Sequence, residues 1–399
     1  MDATPNHGAR DPEVSGSKGA PLSGIVVADF SRVLAGPLAT MTLADLGARV
    51  IKVEKPGTGD DTRSWGPPVS ETGSTYFDSV NRNKESVCLD LAESGDRALA
   101  LELARRADVV IENFKPGGMA KLGLGYDDIA AVNPRVIYVS ISGFGSLGGA
   151  DLPGYDFMVQ AVGGLMSITG EADGQPTKAG VAVVDILTAK DATIGILAAL
   201  NARHTTGRGA YLQVNLLSSL QGALANQAQA YLGAGVIPGR MGNAHPSIAP
   251  YELFACADVP LAVACGNDIQ FAKLAGVLGI PEAATDERFA TNSARVRNRP
   301  ALVALLEHNL ARHDAAHWQQ LFTAAGVPAG KVGTIDEGIA LAETLGLKPT
   351  IEVLREDGSV AARQIRHPIM WQPSFPAPAH APPQVGQHTE AIKRWLAKP

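Results

Sequence analysis

Cysteine is scarce in this chain, and aromatic side chains are few. Cys88, Cys256 and Cys265 are the only thiols in 399 residues, and no two of them form a CxxC pair. That excludes a disulfide-stapled secreted scaffold and points to a reducing compartment. The nine histidines form no HExxH motif and no Cys/His cluster, so no metal centre is expected. No apolar run is long enough to cross a bilayer. The opening stretch MDATPNHGARDPEVSGSKGA mixes both charges and has no apolar core, so residues 1–20 read as a disordered leader and not as a signal peptide. A cytoplasmic protein with no membrane association is expected. Excess positive charge is missing too: the net charge of −6 argues against a nucleic-acid partner. Three sequence fingerprints are also missing from where they would be expected. The loop Ser31-Arg-Val-Leu-Ala-Gly-Pro37 lacks the GxGxxG of dinucleotide folds, and neither a Walker A loop nor GxSxG occurs. NAD-dependent, P-loop and serine-hydrolase chemistries are therefore disfavoured.

What is present is a hydrophobic fraction of 45% and 43 glycines, a balance that suits a loop-rich α/β enzyme. Short apolar runs at Gly24–Phe30, Arg49–Lys55, Ser86–Leu91, Val109–Phe114 and Val136–Ser142 read as strands. Helical stretches lie between them at about Leu38–Leu46 and Gly95–Arg106. Strands alternating with helices predict a Rossmann-like parallel sheet covered on both faces, and ligands bind such sheets at the carboxyl ends of the strands. Helices are predicted over Ile186–Arg203 and Leu216–Tyr231. The texture then changes. We read a large domain over 21–232, a smaller α+β domain over 233–332, and a return segment with a proline-rich tail over 333–399 that packs on the large domain or a partner subunit.

Val181-Ala-Val-Val-Asp185 is an apolar strand-like run that ends in an acid just before a helix. Asp185 is open to two readings: a helix N-cap, or a carboxylate nucleophile held ionised by the helix end. Arg32, Lys55, Arg63, Lys84, Lys115 and Lys121 lie near strand ends and together suit a polyanion. His245 sits in a Gly- and Pro-flanked loop, Gly242–Tyr251.

Several segments carry a resemblance. They are Asp29-Phe-Ser-Arg-Val-Leu-Ala-Gly-Pro37, Leu43–Gly57, Gly59-Asp-Asp-Thr-Arg63, Asn81-Arg-Asn-Lys84, Glu112-Asn-Phe-Lys-Pro-Gly117, Asn133-Pro-Arg-Val136, Gly154-Tyr-Asp156, Gly195-Ile-Leu-Ala-Ala-Leu200 and Thr206-Gly-Arg-Gly209. From about Pro21 onward the chain resembles the class III CoA-transferases (CaiB/BaiF, formyl-CoA transferase-like). It looks closest to the succinate–hydroxymethylglutarate branch, on Gly59–Pro68, Ser74–Phe77, His245–Tyr251 and Thr291–Arg299. The resemblance implies that Asp185 is the nucleophile. It implies that CoA, a substrate and not a resident cofactor, meets Leu34, Ala35, Lys55, Leu89, Asp90, Leu91, Ala92, Asn113, Phe114, Lys115, Lys121 and Tyr155. Ala92 stands where some members carry a basic residue. The racemase branch has a histidine where this chain has Tyr155, which disfavours an acyl-CoA racemase. A non-catalytic CoA-binding protein is the other alternative. An interlocked homodimer is implied as well. For a dicarboxylate substrate, Arg32, Arg63 and His245 are the candidate counter-charges.

Overall fold

The computed structural model describes residues 19–70, 73–375 and 379–398. The expected leader therefore lies outside the described residues except at its end, where Ala20 is already buried. The chain divides into two compact units. One takes the described residues within Met1–Gly163, Ala179–Ala228 and Lys348–Pro399; the other takes Gly164–Lys178 and Gln229–Leu347. The smaller unit thus starts a few residues before the expected 233. It ends well after 332 and includes a detached segment, 164–178.

The larger unit is built on a six-stranded sheet. Its strands are β1 (Val26–Asp29), β2 (Arg49–Glu54), β3 (Lys84–Cys88), β4 (Val109–Glu112), β5 (Ile137–Ser142) and β6 (Ala210–Asn215). They lie in the order β3-β2-β1-β4-β5-β6, and every neighbouring pair is parallel. This is the doubly wound order of mononucleotide-binding halves. Strand β1 is buried along its whole length because both faces of the sheet are covered, so it reads as an unbroken apolar run. Val26, Ala28 and Phe30 face a core shared with Ile51, Val53, Val87, Leu89 and Val110. Helix α2 (Ser94–Arg106) and the C-terminal helix Thr389–Ala397 close that core through Leu103, Ile392 and Leu396. Helix α1 (Ala35–Asp45) packs against the long helix Val183–Thr206.

Three local expectations need correction. Val181–Val184 is not a strand: the long helix already begins at Val183, so Asp185 sits inside its first turn and Ala182 is the N-cap. The helix expected over Leu216–Tyr231 is two helices, Leu216–Ala223 and Ala225–Ala234, broken where Ala225 takes φ 42°. Strand β6 was not foreseen. It is an edge strand, only half-buried, and its Gln213 and Asn215 dilute the apolar signal.

The smaller unit holds an antiparallel three-stranded sheet, with Leu261–Ala264 between Tyr251–Phe254 and Ala329–Lys331. Phe254, Phe271, Leu302, Trp318 and Phe322 form its core. In the larger unit, a hairpin (Thr350–Leu354 with Val360–Ile365) pairs with the extended tail near His380. Most of the proline-rich stretch expected to be extended is described; residues 376–378 are not.

Candidate active site

The chain turns to opposite faces of the sheet after β1 and β4, which leaves a crevice at their carboxyl ends. The two loops are stitched together there. Arg32 donates its backbone N–H to Asn113 Oδ1 at 2.9 Å, and Asn113 Nδ2 donates to the Arg32 carbonyl at 2.7 Å. Two adjoining cavities open along this edge. The larger, about 840 Å³, is lined by Lys55, Arg63, Leu89, Asp90, Leu91 and Ala92 among others. The smaller, about 410 Å³, is lined by Leu34, Ala35, Asn113, Lys115, Tyr155 and Asp185 among others. Arg32, Asp61 and Phe114 line both, so the two form one continuous groove. Of the residues in the larger unit singled out from sequence, only Lys84 and Lys121 line neither cavity. Lys121 is exposed on the short Gly118–Lys121 helix.

Asp185 is half-buried in the wall of the smaller cavity, and burial pushes its carboxyl up to about 7, with the nearby carboxylate of Asp156 adding to the rise. The helix end thus does not hold this carboxyl at its ordinary value. The free amides of the first turn are taken by another acid: Val184 and Asp185 donate their N–H groups to Asp156 Oδ1 at 2.8 and 3.2 Å. Asp156 is in turn oriented by Gln160 Nε2, which donates to its Oδ2 at 2.5 Å. Asp185 thus keeps its own oxygens clear of the capping task. Tyr76 is pushed up to about 12 by burial, then by the charges of Asp185 and Asp156, which places it in the same electrostatic field.

The cations separate into exposed and buried groups. Arg32 is half-exposed, 3.7 Å from Asp61, with its guanidinium 5.3 Å from the Phe114 ring centre. Lys115 pairs in the open with Asp151 at 2.8 Å. Lys55 is exposed at the larger cavity. Arg63 is not free, contrary to expectation. It grips Glu54 through two hydrogen bonds of 2.7 and 2.6 Å, donates to the Pro383 carbonyl and lies over Phe77. Lys84 is not ligand-facing either: it is fully buried against Asp29 at 3.1 Å, and desolvation lowers it to about 8. His245 lies in the smaller unit, where its Nδ1 accepts from the Ser247 N–H and its ring faces Tyr251.

Sequence reasoning missed Asp156, Tyr76, Lys52, Asp60 and Glu112. Lys52 and Glu54 had a signal: charges at alternate positions of an otherwise apolar, doubly covered strand must find partners inside. Asp156 was visible only as part of the Gly154-Tyr-Asp156 motif; its capping role had no signal, because the helix it caps starts 27 residues later. Glu112 fixes the loop after β4 by accepting from the Phe114 N–H at 2.8 Å and from the Ser140 hydroxyl.

Known proteins resemble this chain over most of its length. The family model for CoA-transferase family III matches residues 22–389. An acetyl-CoA:oxalate CoA-transferase of Acetobacter aceti is 45% identical, across 81% of this chain and 84% of its own. A succinate–glutarate CoA-transferase of Agrobacterium fabrum is 44% identical, across 93% and 94% respectively. The crystal structure of a CaiB/BaiF family protein from Brucella suis superimposes with a TM-score of 0.84 at 44% identity, covering 94% of this chain and 99% of that one.

Proposed function

The chain belongs to CoA-transferase family III, and from that premise we propose that it moves CoA between a succinyl-type thioester and a dicarboxylic acid through the carboxylate of Asp185. The observation that carries this reading is a desolvated carboxyl of raised proton affinity in the wall of a groove that has room for CoA beside it. The CoA moiety is assigned to Lys55, Leu89, Asp90, Leu91, Ala92, Asn113, Phe114 and Lys115 along the strand ends, with Leu34, Ala35 and Tyr155 beside Asp185. Lys121 is an outer contact.

The steps follow from carboxylate chemistry. Ionised Asp185 attacks the thioester carbonyl, and the C–S bond breaks to give a mixed anhydride and CoA thiolate. The thiolate then attacks the aspartyl carbonyl, which forms an aspartyl-CoA thioester and releases the donor acid. An incoming carboxylate takes the acyl position and the steps run in reverse. The thioester is conserved throughout, so no nucleotide hydrolysis is needed. The apolar lining of Leu34, Ala35, Ile141 and Leu216 limits water at the anhydride.

The relatives named above act on oxalate and glutarate, both dicarboxylic acids. In the larger unit Arg32 is the assigned counter-charge for the distal carboxylate, and Arg63 is withdrawn from that role. His245 of the smaller unit keeps its candidacy. A second copy of the chain is also proposed. No helix among the described residues is long and apolar enough to cross a membrane; a cytoplasmic location is proposed. The decisive test mixes succinyl-CoA with a panel of carboxylic acids and follows new acyl-CoA esters by mass spectrometry. Asp185→Ala is expected to abolish exchange and the hydroxylamine-sensitive CoA adduct. Turnover that survives the substitution rejects the reading.

A further inference from the structure

Val33 takes φ 70°. A β-branched residue in the left-handed region is strained and stays there only if its surroundings hold it. Those surroundings are unusual. Asp60 and Lys52 form an ion pair at 2.9 Å with both side chains at 0% exposure. Asp60 accepts the Val33 N–H on its two carboxylate oxygens, at 3.4 and 3.3 Å. Lys52 Nζ donates to the Ser31 carbonyl at 2.8 Å. Burial works against the charge on Asp60, but Lys52 and the hydrogen bonds from Thr62 hold its carboxyl below the usual carboxylate range. On either side of Val33 the loop is pinned again. Asp29 accepts the Ser31 N–H at 2.9 Å and its hydroxyl at 2.5 Å, and a Cβ added at Gly36 would lie 2.2 Å from the Ser31 side chain. Immediately after the strained residue come Leu34 and Ala35, which open α1 and line the Asp185 cavity.

We propose that the buried Lys52–Asp60 pair is a positioning device: it clamps Val33 in its left-handed conformation and so sets Leu34 and Ala35 against the reacting carboxyl. This rests on the assignment of Asp185 as the reacting group. The pair lies under the loop and at the floor of the larger cavity, but both side chains are wholly buried and spend their charge on each other, while the strand ends of β2 and β3 hold much of the rest of that cavity. Loss of the clamp therefore affects the chemical step more than the capture of acyl-CoA.

The test compares Asp60→Asn with the double variant Asp60→Asn/Val33→Gly in steady-state exchange. Glycine adopts positive φ at no steric cost, so it supplies the conformation without the clamp. Asp60→Asn is expected to lower kcat about ten-fold, the equivalent of about 1.4 kcal/mol of left-handed strain, with the KM for acyl-CoA little changed. The double variant is expected to regain most of the loss. A purely structural defect at Asp60 would not be mended by a glycine in the loop. Wild-type kcat in Asp60→Asn, or a defect that glycine leaves untouched, overturns the proposal. Should Asp60→Asn fail to fold, Val33→Pro decides: proline forbids positive φ, the buried pair is intact, and wild-type turnover overturns the proposal while a loss supports it. Failure of the Asp185 assignment shows separately, as exchange that survives Asp185→Ala.

Discussion

Burial that keeps water away from the Asp185 carboxyl also holds its proton on. The two effects set the working pH range. With the carboxyl raised to about 7, kcat/KM for acyl-CoA should climb with pH and level off above an apparent pKa near that value. An acid limb near the ordinary carboxylate value would refute a desolvated nucleophile. The same shift has a stability consequence. The fold favours the protonated form, so that contribution is complete below 3.8 and is lost as pH rises through about 7. Asp185→Asn, which mimics the protonated group, should therefore raise Tm above wild type in alkaline buffer and leave it unchanged in strong acid. Arg32 offers a second residue-level test. Arg32→Ala should lower kcat/KM for a dicarboxylate acceptor by about ten-fold or more, and that for a monocarboxylate far less. At this scale the sequence was half legible. It placed Arg32, Arg63 and Lys84 near the ligand edge. Only the neighbouring strands reveal that Glu54 and Asp29 have already claimed the last two.

The helix Val183–Thr206 shows what an element contributes beyond its residues. It ends with Gly207 at φ 69° and carries Arg203 and His204 in its last turn, as a helix dipole favours. Its start depends on Asp156, and two substitutions separate the roles of that residue. Asp156→Ala removes the acceptor and should cost about 0.5–2 kcal/mol, read by chemical denaturation. Asp156→Asn keeps an acceptor oxygen but deletes a negative charge near Asp185. The Asp185 pKa should fall, and the acid limb of kcat/KM should move to lower pH; an unmoved limb would exclude coupling of the two acids. Strands β1, β4 and β5 were legible because burial on both faces leaves apolar runs, whereas β2 and the edge strand β3 carry charges and showed only through their remaining apolar positions. The helix start was not: Val181–Val184 is apolar whether it continues a strand or opens a helix, and only the cap supplied from a distant loop decides.

Across the whole molecule, doubly wound topology was readable from the alternation of strands and helices, while the crevice had to be built without a glycine fingerprint. Ser31–Pro37 replaces that fingerprint with a loop held from beneath by ion pairs. The expected domain limits were coarser than the fold, because residues 164–178 join the smaller unit from within the larger one's sequence. The C-terminal helix gives the test at this scale. Ile392 is fully buried in the core beneath β1 and β2. Ile392→Ala should therefore destabilise the larger unit by about 2–5 kcal/mol in denaturant titration, far more than a surface truncation would. The same helix imposes an order in time on the nascent chain. The sheet is fully synthesised by Asn215, yet one of its faces waits for residues that leave the ribosome about 175 positions later, after the entire smaller unit has been made. Until then Val26, Ala28 and Ile51 are covered only by α2 and by the segment that carries Met119, Leu124 and Ile129. A ribosome that stalls or stops short of the last nine-residue helix therefore releases a chain that contains Asp185 and the whole sheet but has an open apolar face.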